Sequence, residues 1–249
     1  MNLGDRIKHY EKMETADKFM PMIPIVARLD GRSFSKFTKS MTKPFDMNMT
    51  MIMQAVTKYL VEETGATVGY TQSDEITLVF WQRDYESDVF FSGKKQKMIS
   101  VLASLATAMF VSMALQHFPE ECSKRLPHFD CRVFQVPSRS EATNAVLWRV
   151  QDAVRNSISM AAHATFGHSK LQGKSTNNKL DMLLEAGINW NDYPKAWKEG
   201  SFFKRQNYIK MHEGTEVIRS HVTEVLVGQK FEDLSTLERM HLVFDKDEE

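Results

Sequence analysis

Two short segments set carboxylates among residues that otherwise form sheet. Residues 28–34 read RLDGRSF and residues 69–80 read GYTQSDEITLVF. Asp30 closes an apolar run, and Asp74 and Glu75 interrupt two runs of β-formers. Carboxylates gathered by a sheet repel one another, and one pKa rises unless a cation lies between them. Oxygen ligands without a Cys or His cluster suit Mg²⁺, which takes one or two carboxylates and completes its shell with water and substrate phosphate. Two such ions would serve an in-line phosphoryl displacement, one on the attacking and one on the leaving oxygen. Gly31 allows close backbone approach, and the N–H groups of GRSFS would face a triphosphate if a helix starts there. Arg32 and Lys43 are the expected phosphate partners. Taken singly, Asp30-Gly31 is an ordinary turn dipeptide and SDE an ordinary polar turn. Their pairing, each flanked by strand-like sequence with one helix between, is what points to a metal site.

The elements that must hold these residues follow from periodicity. LGDRIKHYEKM reads as a short helix, MIPIVARLDG as a strand, and SFSKFTKS as a helix or tight loop. Met49, Ile52, Met53, Val56 and Leu60 keep helical spacing from Asp46 to Glu63, with Gly65 placed as the cap. TVGYTQ and ITLVFW form a hairpin with the acids at or beside its turn. Met98, Val101, Leu102, Leu105, Met109 and Met113 define a second long helix. FDCRVFQVP is a further strand, and Ser138 with Glu141 announces a helix to about Ala164. Strand, helix, hairpin, helix, strand, helix is a split βαβ layout. It predicts an α+β fold, an antiparallel-containing sheet with helices packed on one face. A shift to polar sequence at Gly167 divides a catalytic domain, 1–166, from a C-terminal helical and irregular extension, 167–249. The extension is basic and aromatic and ends in an acidic, solvated tail.

The chain has 249 residues, 42% hydrophobic, enough for one large domain or a core with an appended subdomain. Lys plus Arg balance Asp plus Glu at 32 each, so nucleic-acid contact must come from local patches. Lys94, Lys95 and Lys97 form one such patch, and Lys170, Lys174 and Lys179 another. Between Trp190 and Lys210, aromatic and basic residues interleave. That suits single-stranded nucleic acid, although composition alone favours aromatics in the core and lysines in water. The sixteen methionines read as core filler. Two cysteines and a polar N-terminus imply a reduced cytoplasmic protein, and the lack of a run of about 18 or more apolar residues argues against a membrane span. There is no HExxH or GxSxG. His163 and His168 lack a further ligand, and the GKS at 173–175 lacks the glycine and strand of a P-loop.

ARLDGRSFSKFT, GYTQSDEITLVF, FDCRVFQVPS, LWRVQDAVRNSI and KLQGKSTNNKLDMLLEAGINW together resemble, in order and spacing, the tRNA-His guanylyltransferase family over roughly residues 5 to 205. The resemblance implies a core similar to the palm of polymerases and to nucleotide cyclases. It implies nucleotide addition in the 3′-to-5′ direction at the 5′ end of tRNA, after activation of that end by ATP and with GTP as the incoming nucleotide. Asp30 and Asp74 would carry two Mg²⁺ ions with the carbonyl of Gly31, and Glu75 matches a neighbouring catalytic acid. Gly31, Arg32, Ser33, Phe34 and Ser35 would wrap the triphosphate, with Ser73 beside it. Lys43 and the cluster Lys94, Lys95 and Lys97 resemble the basic residues near the activation site. Eukaryotic members carry His-Ile-Asn-Asn after the Trp-Arg pair. Here the place reads VRNS and keeps only Asn156, so the chain is more similar to bacterial or archaeal members that repair truncated 5′ ends by base pairing. A homo-tetramer with no membrane contact is also implied. The competing readings are a cyclase-like enzyme on the same core and a catalytically idle RNA-binding protein.

Overall fold

The computed structural model describes residues 1–212 and 215–245, so the end of the acidic tail, residues 246–249, lies outside the described residues. In chain order the elements are α1 (Leu3–Thr15), β1 (Ile25–Gly31), α2 (Phe34–Phe37), α3 (Met47–Thr64), β2 (Val68–Gln72), β3 (Glu75–Phe80) and α4 (Lys95–His117). Then follow α5 (Pro119–Lys124), β4 (Phe129–Gln135), α6 (Arg139–Thr165), α7 (His168–Leu171), α8 (Thr176–Glu185), α9 (Lys195–Lys198), β5 (Ser201–His212), β6 (Thr215–Val225) and α10 (Thr236–Phe244).

The strands form one antiparallel sheet in the order β4-β1-β3-β2-β5-β6. Alternation along β1 sorts its residues between two faces. Ile25, Ala27 and Leu29 join Ile76, Leu78 and Phe80 of β3 beneath α3 and α4, against Ile52, Val56, Leu60, Leu102 and Phe110. The two crossover helices thus share one face, as the split βαβ layout requires. Val26 and Val79 point the other way, with Tyr70 and Phe202, and pack on Val146, Val150 and Ala153 of α6 and on Val243 and Phe244 of α10. The sheet is therefore the middle of three layers.

Local chemistry sets the helix limits. Asp46 caps α3 by accepting from the Met49 N–H at 3.1 Å, and Gly65, at φ 68°, ends it. Ser138 caps α6 by accepting from the Glu141 N–H at 3.2 Å. By length and composition α4 is apolar enough to cross a bilayer, a correction to the sequence expectation. Its serines and threonines interrupt a strictly apolar run without making the helix polar. Met98, Leu102, Ala106, Phe110 and Ala114, four residues apart, are buried against the sheet, while 28% of the apolar window as a whole is buried.

The segment read as aromatic and basic contains two long strands. Ser201, Phe202 and Phe203 pair with Thr71, Tyr70 and Gly69, and from Lys204 onward β5 and β6 pair only with each other. Lys, Arg, Gln and Asn dilute the β-formers there, which hides the strand period. The chain after Gly167 thus contributes both to the sheet and, through α8, to a helical cluster against α6.

Candidate active site

Asp30 is the next-to-last residue of β1, in register with Glu75 of β3 on one side and Asp130 of β4 on the other. The Gly31 N–H donates to the Asp74 carbonyl at 3.0 Å, which fastens the β2–β3 turn to the end of β1. That turn is Ser73-Asp74, with Ser73 in the left-handed region at φ 52°, and the Ser73 hydroxyl donates to Asp74 Oδ1 at 3.2 Å. Burial first, and the Asp30 carboxylate second, push the Asp74 carboxyl above the usual range. Among the described residues neither Asp30 nor Asp74 forms an ion pair, and no group of three or more His, Cys, Asp or Glu side chains gathers. Two half-buried carboxylates and a neighbouring carbonyl fit a hard cation that keeps water and substrate phosphate in its shell.

Glu75 has a different partner. Its Oε1 accepts from Arg149 Nε at 2.5 Å, and its Oε2 lies 3.9 Å from Arg28 Nε. Burial pushes this carboxyl up, and the Arg149 guanidinium opposes the shift. Arg149 also donates to Asp152 at 2.8 Å, and Asp152 accepts from Asn156 Nδ2 at 3.3 Å. Glu75 was expected among the catalytic acids; its carboxylate is held by the Arg149 guanidinium, in register with Asp30 on the next strand. Asn156 belongs to the same network, two helical turns beyond Arg149. The sequence reading gave Arg149 no role. Its signal was a charge on the apolar face of α6, between Val146 and Val150.

The loop after Gly31 is anchored by an aromatic cluster. A Cβ at Gly31 would lie 2.5 Å from the Phe34 ring, so glycine is required by packing. Phe34 is 2% exposed, with ring centroids 5.1 Å from Phe110 and from Phe129. It was expected to help wrap a triphosphate, and only its backbone is free to do so. Arg32, Ser33 and Ser35 are exposed. Since α2 has only four residues, it offers phosphate bare N–H groups and little dipole. Lys43 Nζ donates to the Thr38 carbonyl at 2.9 Å, at the rim of the same loop.

A pocket of about 370 Å³ opens beside Asp74 and Ser73. Ser35 and Lys43 line it too, and Met53, Phe45 and Trp197 form its apolar wall. Trp197 stacks on Phe45 with centroids 5.1 Å apart and donates from Nε1 to Thr50 Oγ1 at 3.0 Å. Sequence reading missed Phe45 and placed Trp197 in a stretch whose pattern suits single-stranded RNA but whose composition favours aromatics in the core. No local signal joins residues 152 positions apart. Other aromatics of that stretch are packed: Trp190 donates to Ser157 Oγ at 3.2 Å, and Phe202 and Phe203 are buried.

Lys94, Lys95 and Lys97 are not brought to this site within the chain. They start α4 at the opposite end of the sheet, roughly 17 Å from the acids along β3. Lys95 pairs with Asp17 at 2.9 Å, and Lys97 lies over the Phe91 ring at 5.4 Å.

Residues 4–137 match the family model of tRNAHis guanylyltransferase. The chain is 29% identical over 226 residues to the tRNA(His) guanylyltransferase of Saccharomyces cerevisiae, an alignment that spans 83% of this chain and 92% of that protein. Its fold is similar to that of a bacterial tRNA(His) guanylyltransferase-like protein solved in complex with ATP. There the TM-score is 0.82 at 30% identity, over 98% of this chain and 100% of that one. A second such structure, in complex with GTP, gives a TM-score of 0.73 at 29% identity, over 97% and 99%.

Proposed function

The chain belongs to the tRNA-His guanylyltransferase family, and from that premise we propose that it is a nucleotidyltransferase adding nucleotides to the 5′ end of tRNA, in the 3′-to-5′ direction. The observation that carries the reading is the bond that ties the Asp30 strand end to the Asp74 turn, with a nucleotide-sized pocket opening beside Asp74. The similar bacterial protein was solved with ATP and with GTP, which supports both as substrates here. In the first step a 5′-phosphate oxygen attacks the α-phosphorus of ATP, and pyrophosphate leaves. In the second the 3′-hydroxyl of the incoming nucleotide attacks the capped 5′ phosphorus, and AMP leaves.

Asp30, Asp74 and the Gly31 carbonyl would hold Mg²⁺, which when bound offsets charge on the attacking and leaving oxygens. Ser73, Ser35, Arg32 and Lys43 bind the triphosphate, and the Phe45–Trp197 wall holds the base. Glu75 and Arg149 fix the strand that carries the acids. The polar side chains on the pocket wall, Thr42, Thr50, Gln54 and Gln72, are neutral, and Thr50 and Gln54 are already bonded to Trp197 and Ser201. Asp46 already accepts from the backbone N–H groups of Met49 and Thr42. That lining, with the VRNS segment, supports selection of the nucleotide by pairing with the opposing RNA base. Lys94, Lys95 and Lys97 serve RNA phosphates farther from the reacting end. The two free cysteines support a reducing, cytoplasmic setting, and a homo-tetramer is part of the same proposal.

The test is Mg²⁺-dependent extension of a 5′-labelled tRNA lacking its first nucleotide, with wild type, Asp30→Ala and Asp74→Ala. Extension by wild type alone, with RNA retained by both variants on filters, is the expected result. Extension by Asp74→Ala at the wild-type rate would remove the site from the reaction.

A further inference from the structure

On the α6 side of Asp30 stands a tryptophan that the nucleotide pocket does not use. Trp148 is 52% exposed, although Val146, Arg149 and Val150 around it on α6 are buried. Its ring is not loose. The Arg149 guanidinium lies 4.4 Å from the ring centroid and that of Arg28 lies 5.7 Å away. Both arginines are tied to Glu75, itself in register with Asp30. One carboxylate therefore gathers both cations, and half the indole surface stays open to solvent. The neighbouring strand adds Arg132, in register with Arg28 and 60% exposed at its side chain, 3.9 Å from Asp130. An exposed, immobilised aromatic beside arginine is suited to a base with its phosphate.

The two faces of the sheet supply the direction. Most of the pocket lining comes from the α3 side, Met49, Met53 and Gln54 with Thr71, and α6 adds only Met160, about three turns beyond Trp148. Asp30, Arg28 and Trp148 lie on the α6 side. A displacement that joins two nucleotides needs one on each side of the carboxylate pair. With the incoming nucleotide in the pocket, the RNA end falls over the indole.

We propose that Trp148 is the stacking platform for the 5′-terminal nucleobase of the RNA substrate, with Arg132 on the adjoining phosphate. This rests on the nucleotidyltransferase reading. The open indole face, with the exposed Arg132 guanidinium on the adjoining strand, favours RNA over a second copy of this neutral chain as the occupant.

The experiment uses full-length wild type, Trp148→Ala, Trp148→Leu and Trp148→Phe with a 5′-truncated tRNA, and the same RNA made abasic at its 5′-terminal position. RNA Kd is measured without turnover, and KM and kcat with a 5′-triphosphate end that needs no ATP. Loss of one stacked base weakens RNA binding by about 5- to 150-fold. That loss is expected for Trp148→Ala and Trp148→Leu, with nucleotide KM unchanged and most affinity kept by Trp148→Phe. Wild type should bind the abasic RNA as weakly as Trp148→Ala binds the intact one, and the two losses should not add. Unchanged RNA binding by a folded Trp148→Leu chain would overturn the proposal, as would additive losses. A rise confined to the KM for ATP with monophosphate-ended RNA would also overturn it, because the platform would then take adenine. Loss of oligomers in all three variants, with no dependence on the 5′ base, would assign the patch to a second copy. If wild type binds RNA by this pattern yet extends nothing, the reaction fails and the platform stands.

Discussion

Arg149 Nε donates to Glu75 Oε1 at 2.5 Å, joining α6 to the strand beside Asp30 across 74 residues of sequence. Both side chains are largely buried, at 10% and 15% exposure. Removing one partner of such a pair costs about 3–5 kcal/mol, because the other charge is left uncompensated. Arg149→Met should lower unfolding free energy by at most about that much, since Arg28, 3.9 Å away, still faces Glu75. The double variant Glu75→Gln, Arg149→Met should recover most of it, as read by urea denaturation. Additive losses would mean that the pair does not act as a unit.

Asp74 supplies a pH signature with a definite sign. Burial and Asp30 raise its folded-state pKa above the unfolded value, so the cation-free folded chain binds this proton more tightly than the unfolded chain. Its contribution to stability is fully present below the ordinary carboxylate pKa and is lost as pH rises through the raised one. Without divalent cation, Asp74→Asn should melt above wild type at neutral pH, with the gap closing near pH 4. Added Mg²⁺ should raise the wild-type midpoint and leave that of Asp74→Asn unmoved. A variant less stable than wild type at neutral pH in chelator would contradict the electrostatic account.

Gly31→Ala pushes a methyl group to 2.5 Å from the Phe34 ring, which Phe110 and Phe129 hold in place. Overpacking of this kind costs about 1–3 kcal/mol. Thermal denaturation should show that loss and its partial recovery in Gly31→Ala, Phe34→Leu. Equal melting of Gly31→Ala and wild type would show that the ring yields.

Trp197 forms the pocket wall with Phe45, far from the phosphate-binding loop in sequence. Trp197→Ala should raise the KM for the incoming nucleotide by roughly ten-fold, the worth of one aromatic stacking contact. The KM for RNA should not change. A rise in RNA KM alone would place this residue against RNA and not against the incoming base.

Much of the site was legible because its signals are local. Asp30-Gly31 ends a strand, Ser73-Asp74 makes a turn, and strand period and helix period fix both within a few residues. Register then joined them, since antiparallel pairing of β1 with β3 sets Asp30 against Glu75. What stayed hidden depends on tertiary distance. Nothing near Trp197 signals Phe45, and nothing near Glu75 signals Arg149. Phe34 was read by its neighbours in sequence, which are phosphate-binding types, whereas its ring answers to Phe110 and Phe129. The lysines of α4 matched a motif, but the helix that carries them starts at the far end of the sheet.

The most direct test changes the RNA and leaves the protein alone. A tRNA lacking its first nucleotide is prepared in four versions that differ only in the base opposite the gap, and each is incubated with Mg²⁺, ATP and all four nucleoside triphosphates. The added 5′ residue should be the complement of the opposing base in every version. A cyclic nucleotide product, growth at the 3′ end, or no extension of any of the four would contradict templated 3′-to-5′ addition.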